Sequence, residues 1–578
     1  MKSKRQSVLI KAYVLLNPYY QNKGLGIIFL MVFQSILDFF SLASFLPLIF
    51  LIVNPEFITS NHYLKNLYSY LGSPSQASFI IILTLGVLLF TVFKNLISVW
   101  IAKVKAQYAF GIGRDLAYRA LSHFMEMSYL HFSQVDYTRE LNRMANLPMA
   151  FANNIILPVA NLISELFVSI FILTAIAFYD YKILILLFII LLPALLLYRI
   201  RRKDLKEINS DLKEKYPLLL KYGLQVIEGL LEIKVYGKES FFGERFRKIN
   251  RALTRIFVKD QILQSGTVRL TEVIVAIVIC ALIIYSVLTQ QHYEQTLLLL
   301  GIYTGASFRV IPSVNRILRA SQQIKMHEYL FDEFKPLSNF YSYYQKNPSS
   351  ALTFRESIEL KNISFAYLNG PPILQEASLK IAKGEKIAIT GKSGAGKTTV
   401  FLILLRFLKE TSGKIRMDDK PIENENAWRK LFGYVPQDPF ILDGTFAENI
   451  AFGVSLGDID QSKILKLIAE LELNELVRQW PDGIDTRIGE RGAQLSGGQR
   501  QRLAIARALY AGAEILLLDE ITNQLHASIE LEILNLLDRL ADQKKTIIMI
   551  THKPPRIDFF NSIYNLEKGK LHATVAQS

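Results

Sequence analysis

A chain of 578 residues that is 51% apolar, with a mean hydropathy of +0.24, is too apolar to be a string of soluble domains. Its formal charge of +15 lies wholly in residues 1–350, where 37 Lys and Arg face 22 Asp and Glu, against 29 and 29 in the remainder. Disorder, collagen, a small disulfide scaffold and a purely soluble enzyme are excluded, and the single cysteine, Cys280 inside an apolar run, leaves no intrachain disulfide.

Near the start, Val8, Leu9, Ala12, Tyr13, Leu15 and Leu16, interrupted by Lys11, suit a helix lying in a membrane interface. Six apolar runs follow: Gly24–Val53, Ser78–Ala102, Ile155–Phe178, Ile183–Ile200, Val268–Thr289 and Leu297–Ile311. Several exceed the roughly 20 residues that cross a bilayer. Lys2, Lys4, Arg5 and Lys11 precede the first run, Lys103, Lys105, Arg114 and Arg119 follow the second, and Arg199, Arg201, Arg202 and Lys203 follow the fourth. The alternate connections, 54–77, 179–182 and 290–296, are poor in Lys and Arg, which predicts six spans of the cytoplasmic (inner) membrane with both termini inside. Basic charge beside spans is a topology signal, so nucleic acid is not an expected partner. The first run is too long for a signal-peptide core and lacks a convincing cleavage site, so it is expected in the mature chain.

Leu64, Leu67, Tyr68 and Leu71 fall at i, i+3, i+4 and i+7 and predict a short amphipathic helix over 61–71, either on the outer membrane surface or packed on the protein's own outer loops. Residues 103–154 and 201–267 read as helices continuing into the cytoplasm, with turns within 128–137 and 234–242, where apolar periodicity weakens and Gly237 breaks the pattern. Asp38, Lys94, Glu165, Arg269, Glu272 and Arg309 interrupt the spans, and such residues face protein or water. Arg309, Arg316 and Arg319 are spaced as one broad stripe on the sixth helix. Either the stripe lines a cavity and holds an anionic head group, with Arg269 as a further contact, or the charges pair internally, Arg269 with Glu272 for instance, while Arg316 and Arg319 lie in the cytoplasmic extension.

Residues 341–354, with Pro348, Ser349 and Ser350, read as a linker, and from Ile358 short β-branched strands alternate with helices, the pattern of a parallel α/β sheet. The expected architecture is multi-domain: an all-α six-helix transmembrane domain (1–335), a linker (336–357) and an α/β P-loop nucleotide-binding domain (358–578). Gly391-Lys-Ser393-Gly394-Ala-Gly396-Lys397-Thr398, continuing to Thr399, fits the phosphate-loop pattern after an apolar strand and opens a helix. Glycines let backbone N–H groups wrap phosphates, the helix N-terminus adds its dipole, Lys397 reaches the β and γ oxygens, and Thr398 ligates Mg2+. Downstream, Ile515-Leu-Leu-Leu-Asp519-Glu520 is a buried strand ending in two carboxylates: Asp519 for the Mg2+ shell and Glu520 as general base toward water.

Between them lies Leu495-Ser496-Gly497-Gly498-Gln499, and here the chain closely resembles the nucleotide-binding domain of an ABC transporter over roughly 358–570. The resemblance implies ATP as cofactor, Tyr367 stacking on adenine, Gln437 sensing Mg2+ and the attacking water, His552 at the γ-phosphate, and Ser496 to Gln499 contacting ATP held by another subunit. One phosphate loop and one signature per chain then imply a dimer, most simply a homodimer. Where the family usually has S-A-L-D after the catalytic glutamate, this chain reads Asn523-Gln524-Leu525-His526, which touches communication across the dimer. Six spans ahead of one such domain, with Glu232-Ile-Lys-Val-Tyr-Gly-Lys-Glu239, resemble the exporter half-transporters. The decapeptide 308–317 and the outer helix are similar to flippases for lipid-linked oligosaccharides, implying an amphiphilic anionic substrate drawn from membrane lipid, a polyprenyl-pyrophosphate glycan moved by alternating access. Another glycolipid, lipid or drug remains open as substrate, as does a nucleotide-switched channel or regulatory membrane protein.

Overall fold

The computed structural model describes residues 8–45, 48, 51, 62–72, 74–179, 181–288, 311–338, 340, 352–368, 370–489, 494–522, 526–552 and 557–574. The chain divides into two compact units, Met1–Met127 with Gln134–Gln345, and Ser128–Ser133 with Lys346–Ser578.

The helices up to residue 338 are α1 (Val8–Leu15), α2 (Pro18–Ala43), α3 (His62–Tyr70), α4 (Gln76–Met125), α5 (Tyr129–Phe132), α6 (Tyr137–Ala145), α7 (Leu147–Phe151), α8 (Leu157–Tyr179), α9 (Tyr181–Glu228), α10 (Leu230–Val235), α11 (Glu239–Leu288), α12 (311–326) and α13 (Tyr329–Phe334). With 50 residues at 1.5 Å each, α4 runs ~75 Å, more than twice the hydrocarbon thickness, so its apolar first half and its charged second half occupy different surroundings. Among the described residues, Pro18–Ser41, Gln76–Met125 and Leu147–Thr174 are long and apolar enough to cross a membrane. The fourth apolar run lies within α9 and the fifth within α11 up to its end at Leu288; the sixth, apart from Ile311, lies outside the described residues, as does Arg309. The chain reverses through α5, where the Ser128 hydroxyl accepts from the His131 N–H, and again at Gly237, whose φ of +59° suits glycine.

Helix α3 forms where its apolar spacing predicts. One face rests on its own chain: Leu64 and Tyr68 pack on Leu51 and Phe79, the Tyr68 and Phe79 rings meeting edge-on at 5.1 Å, and the Tyr68 hydroxyl donates to Pro74 O at 2.6 Å. Tyr63 and Tyr70 stay 84% and 88% exposed.

The first unit is pinned by a charged centre that periodicity does not reveal. Arg119, fully buried on α4, pairs with Asp115 at 3.0 Å and donates to Leu15 O and Leu337 O, while Asn17 Nδ2 donates to Asp115. This ties α1, α4 and the segment after α13 around a core of Leu116, Phe151, Phe331 and Phe334. Gly113 is required where α4 crosses α7: a Cβ there would stand 2.9 Å from Pro148 O.

In the second unit a four-stranded antiparallel sheet, ordered β2-β1-β4-β5, contains β1 (Ser357–Ala366), β2 (Pro372–Ala382), β4 (Ser412–Met417) and β5 (Lys420–Pro421). A six-stranded sheet, ordered β10-β9-β3-β8-β7-β6, contains β3 (Lys386–Thr390), β6 (Phe432–Val435), β7 (Ile515–Asp519), β8 (Thr546–Ile550), β9 (Ser562–Glu567) and β10 (Lys570–Thr574). The parallel reading of the sequence holds for β3 and β6–β9; the other sheet and β10 are antiparallel. All residues of β7 and β8 are buried because both faces are covered: Leu516, Leu518, Ile547 and Met549 face one core, while Ile515, Leu517, Ile548 and Ile550 face the other. The covering helices are α14 (Lys397–Leu404), α15 (Glu425–Arg429), α16 (Phe446–Ile450), α17 (Gln461–Glu470), α18 (Asn474–Arg478), α19 (Gly497–Tyr510) and α20 (Ala527–Asp542). Tyr129 of α5 belongs to this unit, its ring stacked on Phe407 at 6.0 Å and 26°.

Candidate functional site

Three neighbouring strands of the parallel sheet deliver the chemistry from their carboxyl ends, where open α/β sheets place ligands. Strand β3 lies beside β8 and β8 beside β7, with Ile389 opposite Ile550 and Asp519 opposite Ile550. Gly391, Asp519–Glu520 and Thr551–His552 therefore emerge side by side. Gly391, Gly394 and Gly396 have φ of +148°, +78° and +103°, a path that side chains resist. A Cβ on Gly396 would stand 2.6 Å from Ile373 Cγ2, whereas one on Gly394 would meet nothing within 4 Å, so the loop is packed beneath and open where its backbone faces outward. That open cradle, at the N-terminus of α14, fits a nucleotide phosphate.

Lys397 Nζ donates to Gly391 O at 2.9 Å and Lys392 O at 3.3 Å, and stands 3.8 Å from Glu520 Oε1. His552 Nε2 approaches that same oxygen to 3.1 Å. Glu520 takes φ +53°, uncommon for a non-glycine residue, and its N–H donates to Ile550 O at 3.0 Å. Asp519 is buried, and burial lifts its pKa above the ordinary carboxylate value, with the Glu520 charge adding, against the hydrogen bond from Tyr434 and the charge of Lys397. An acid beside a hydroxyl and an open phosphate cradle is a donor set that fits Mg2+ accompanying a nucleotide. Ser393 and Thr398 are exposed on the loop, and Thr399 is buried beneath it.

Tyr367 follows β1, 37% exposed and edge-on to Phe365 at 5.0 Å, on the hairpin whose β2 strand brings Ile373 over Gly396. Gln437 follows β6, and its backbone O accepts from Gln501 Nε2 at 2.7 Å. Ser496 caps α19 in a reciprocal box: Gln499 N donates to Ser496 Oγ at 3.3 Å and Ser496 N to Gln499 Oε1 at 2.8 Å. Gly497 and Gly498 form the first turn behind this cap. Among the described residues no hydrogen bond or ion pair joins Ser496–Gln499 to Gly391–Thr398, so one chain offers these two half-sites separately. His526 is the N-cap of α20 without a side-chain capping bond, and 523–525 lie outside the described residues.

In the first unit, the five described charges that interrupt the spans are all paired: Asp38 with Lys94 at 2.9 Å, Glu165 with Arg316 at 2.6 Å, and Arg269 with Glu272 at 2.9 Å. Arg316 and Arg319 border a cavity of about 300 Å³, walled by α2, α4, α8 and α12 and shared with Gln34, Asp38, Lys105 and Glu165. Arg269 does not line it. Lys105, only 9% exposed, has no hydrogen-bond or ion-pair partner among the described residues, and the buried Gln34 Oε1 and Ser164 Oγ are likewise unbonded. Lys105 entered the sequence reading only as a topology charge, and Tyr434 did not enter it; both are single residues without a motif, identifiable only by their neighbours.

Residues 374–523 match the family model described as ABC transporter, and residues 22–303 the ABC transporter transmembrane region. The chain is 31% identical over 392 residues to an ATP-dependent lipid A-core flippase of Coxiella burnetii, covering 67% of this chain and 66% of the relative's length. It is 28% identical over 510 residues to a protein of the same name from Bordetella avium, covering 87% and 84%. To a multidrug resistance ABC transporter ATP-binding and permease protein of Lactococcus lactis it is 37% identical over 219 residues, 37% of either chain. A solved bacterial Atm1-family ABC exporter with ATP bound superposes with a TM-score of 0.75 over 97% of this chain and 96% of the other; at 20% identity the likeness is one of fold.

Proposed function

Because this chain belongs to the ABC transporters, as a half-transporter of the exporter type, we propose that it hydrolyses ATP to move an anionic lipid-linked oligosaccharide, a polyprenyl-pyrophosphate glycan, across the cytoplasmic membrane as a homodimer. The observation that carries the substrate class is the cavity in the first unit: Lys105, buried and with no hydrogen-bond or ion-pair partner among the described residues, stands with Arg316 and Arg319 against the carboxylates of Asp38 and Glu165, an excess of positive charge for a ligand to neutralise. A pyrophosphate head group offers the opposite charge, and several of the relatives are named as lipid A-core flippases.

Mg2+ bound with the nucleotide would screen phosphate charge. The protein groups divide the remaining work. Lys397 would exchange its bonds to the loop carbonyls for β and γ oxygens, Thr398, Asp519 and Gln437 would hold the ion, and Tyr367 would stack on the base. Glu520 accepts the proton of the attacking water, and His552, already on the Glu520 carboxylate, orients it and reaches the γ-phosphate. Ser496, Gly497, Gly498 and Gln499 close over nucleotide held by the second copy, which is why the separate half-sites favour a dimer.

Sealed proteoliposomes carrying the full chain test the reading. Polyprenyl-pyrophosphate glycan, a phosphate-free glycolipid and a hydrophobic drug are compared for ATPase stimulation and for ATP-dependent transfer between leaflets. Transfer and stimulation confined to the pyrophosphate lipid support it; stimulation by the drug alone, or ion conductance without hydrolysis, rejects it.

A further inference from the structure

Strand register places one side chain, Tyr434, directly against the metal-holding carboxylate. Strands β6 and β7 run parallel with Tyr434 opposite Leu517. Because side chains alternate along a strand, Leu517 and Asp519 share a face, and Tyr434 reaches along the diagonal to the second of them. Its hydroxyl donates to Asp519 Oδ2 at 3.1 Å. Asp519 is thus held from β6, and three residues after Tyr434 the same segment reaches Gln437.

We propose that Tyr434 is a positioning residue for Mg2+, fixing the Asp519 carboxylate in the orientation from which it holds the ion and linking that orientation to the Gln437 strand. The proposal rests on the assignment of Asp519 to Mg2+ made above. A carboxylate with one oxygen satisfied by a fixed hydroxyl presents its remaining lone pairs in one direction, and does not pay for reorientation when the ion arrives. Tyr434→Phe removes the hydroxyl and keeps the ring, whereas Tyr434→Leu removes both.

Mn2+ binding to the full-length protein in nanodiscs, with a non-hydrolysable ATP analogue, is followed by electron paramagnetic resonance for wild type, Tyr434→Phe, Tyr434→Leu and Asp519→Asn. Metal-free nucleotide affinity is measured alongside. We expect Asp519→Asn to lose Mn2+ affinity, and Tyr434→Phe and Tyr434→Leu to weaken it equally, by about tenfold, with metal-free nucleotide affinity unchanged. In turnover, Tyr434→Phe should raise the KM for Mg2+ more than that for ATP. Wild-type Mn2+ affinity in Tyr434→Phe, with or without a loss in Tyr434→Leu, overturns the positioning role, since the hydroxyl would then be dispensable. Unchanged affinity in Asp519→Asn overturns instead the assignment on which it stands.

Discussion

Glu520 Oε1 stands 3.1 Å from His552 Nε2, across the ends of β7 and β8. One oxygen of the candidate general base is thus already directed by a second side chain, with Lys397 Nζ 3.8 Å away on the same oxygen. A base, an orienting group and a phosphate-seeking cation converge before any nucleotide is considered.

Glu520→Gln keeps the shape of this cluster and removes the base. Nucleotide binding should persist while turnover falls by roughly 10² to 10⁴. Single-turnover ATP hydrolysis by the purified chain checks this, and near-normal hydrolysis would refute the role of Glu520.

His526 occupies the N-cap of α20 with no capping bond. An aspartate there can accept from the N–H groups of the first turn and favour the helix dipole, which stabilises a helix by about 1 kcal/mol. His526→Asp should therefore raise the midpoint of thermal unfolding, and should increase ATPase activity or tighten its dependence on substrate. A stabilised protein with unchanged kinetics would limit the effect of this position to the helix cap.

Lys105→Met removes a buried positive charge from the cavity at similar length. Charge-assisted contacts are worth about 1.5–3 kcal/mol, so stimulation by a pyrophosphate lipid should require tenfold or more lipid, with basal ATPase preserved. Arg316→Met alone strips Glu165 of its partner and should destabilise the protein, whereas Arg316→Met combined with Glu165→Gln should fold and show the substrate defect. A wild-type lipid response in both Lys105→Met and the double variant would place the ligand elsewhere.

Asp418 accepts the N–H groups of Arg355, Glu356 and Ser357 at 3.0, 2.7 and 3.0 Å, fastening the start of β1 to the β4–β5 turn. Partial burial raises its pKa, but these three bonds, with Arg355 nearby, outweigh it and hold the carboxyl below its ordinary value. The sign follows: its contribution is complete above the unfolded carboxylate pKa and is lost as pH falls through the depressed folded value. Asp418→Ala should cost about 1–2 kcal/mol at neutral pH, and the difference from wild type should shrink toward strong acid. Urea unfolding followed by the fluorescence of Trp428 and Trp480 measures it; a difference that grows on acidification would contradict the assignment.

Much of this protein is legible in one dimension. Apolar runs longer than a bilayer, the glycine spacing from Gly391 to Gly396, and four apolar residues running into Asp519 and Glu520 are local patterns, because hydrophobic thickness, positive φ and a buried parallel strand each act on consecutive residues. The amphipathic spacing of α3 is local too, yet only packing decided that Leu64 and Tyr68 turn onto Phe79 while Tyr63 and Tyr70 stay exposed. The arginine stripe illustrates the opposite case: spacing aligned Arg316 with Arg319, but a partner 151 positions away, Glu165, takes the charge of Arg316, and a lysine with no motif at all, Lys105, lines the cavity with no ion-pair partner among the described residues. Tyr434 and Asp519 are separated by 85 residues and meet only because β6 pairs with β7 in one particular register. Ion pairing and hydrogen bonding act over a few ångströms of space irrespective of chain distance, so partners of this kind are settled by tertiary structure, whereas periodicity and backbone conformation are written into neighbouring residues.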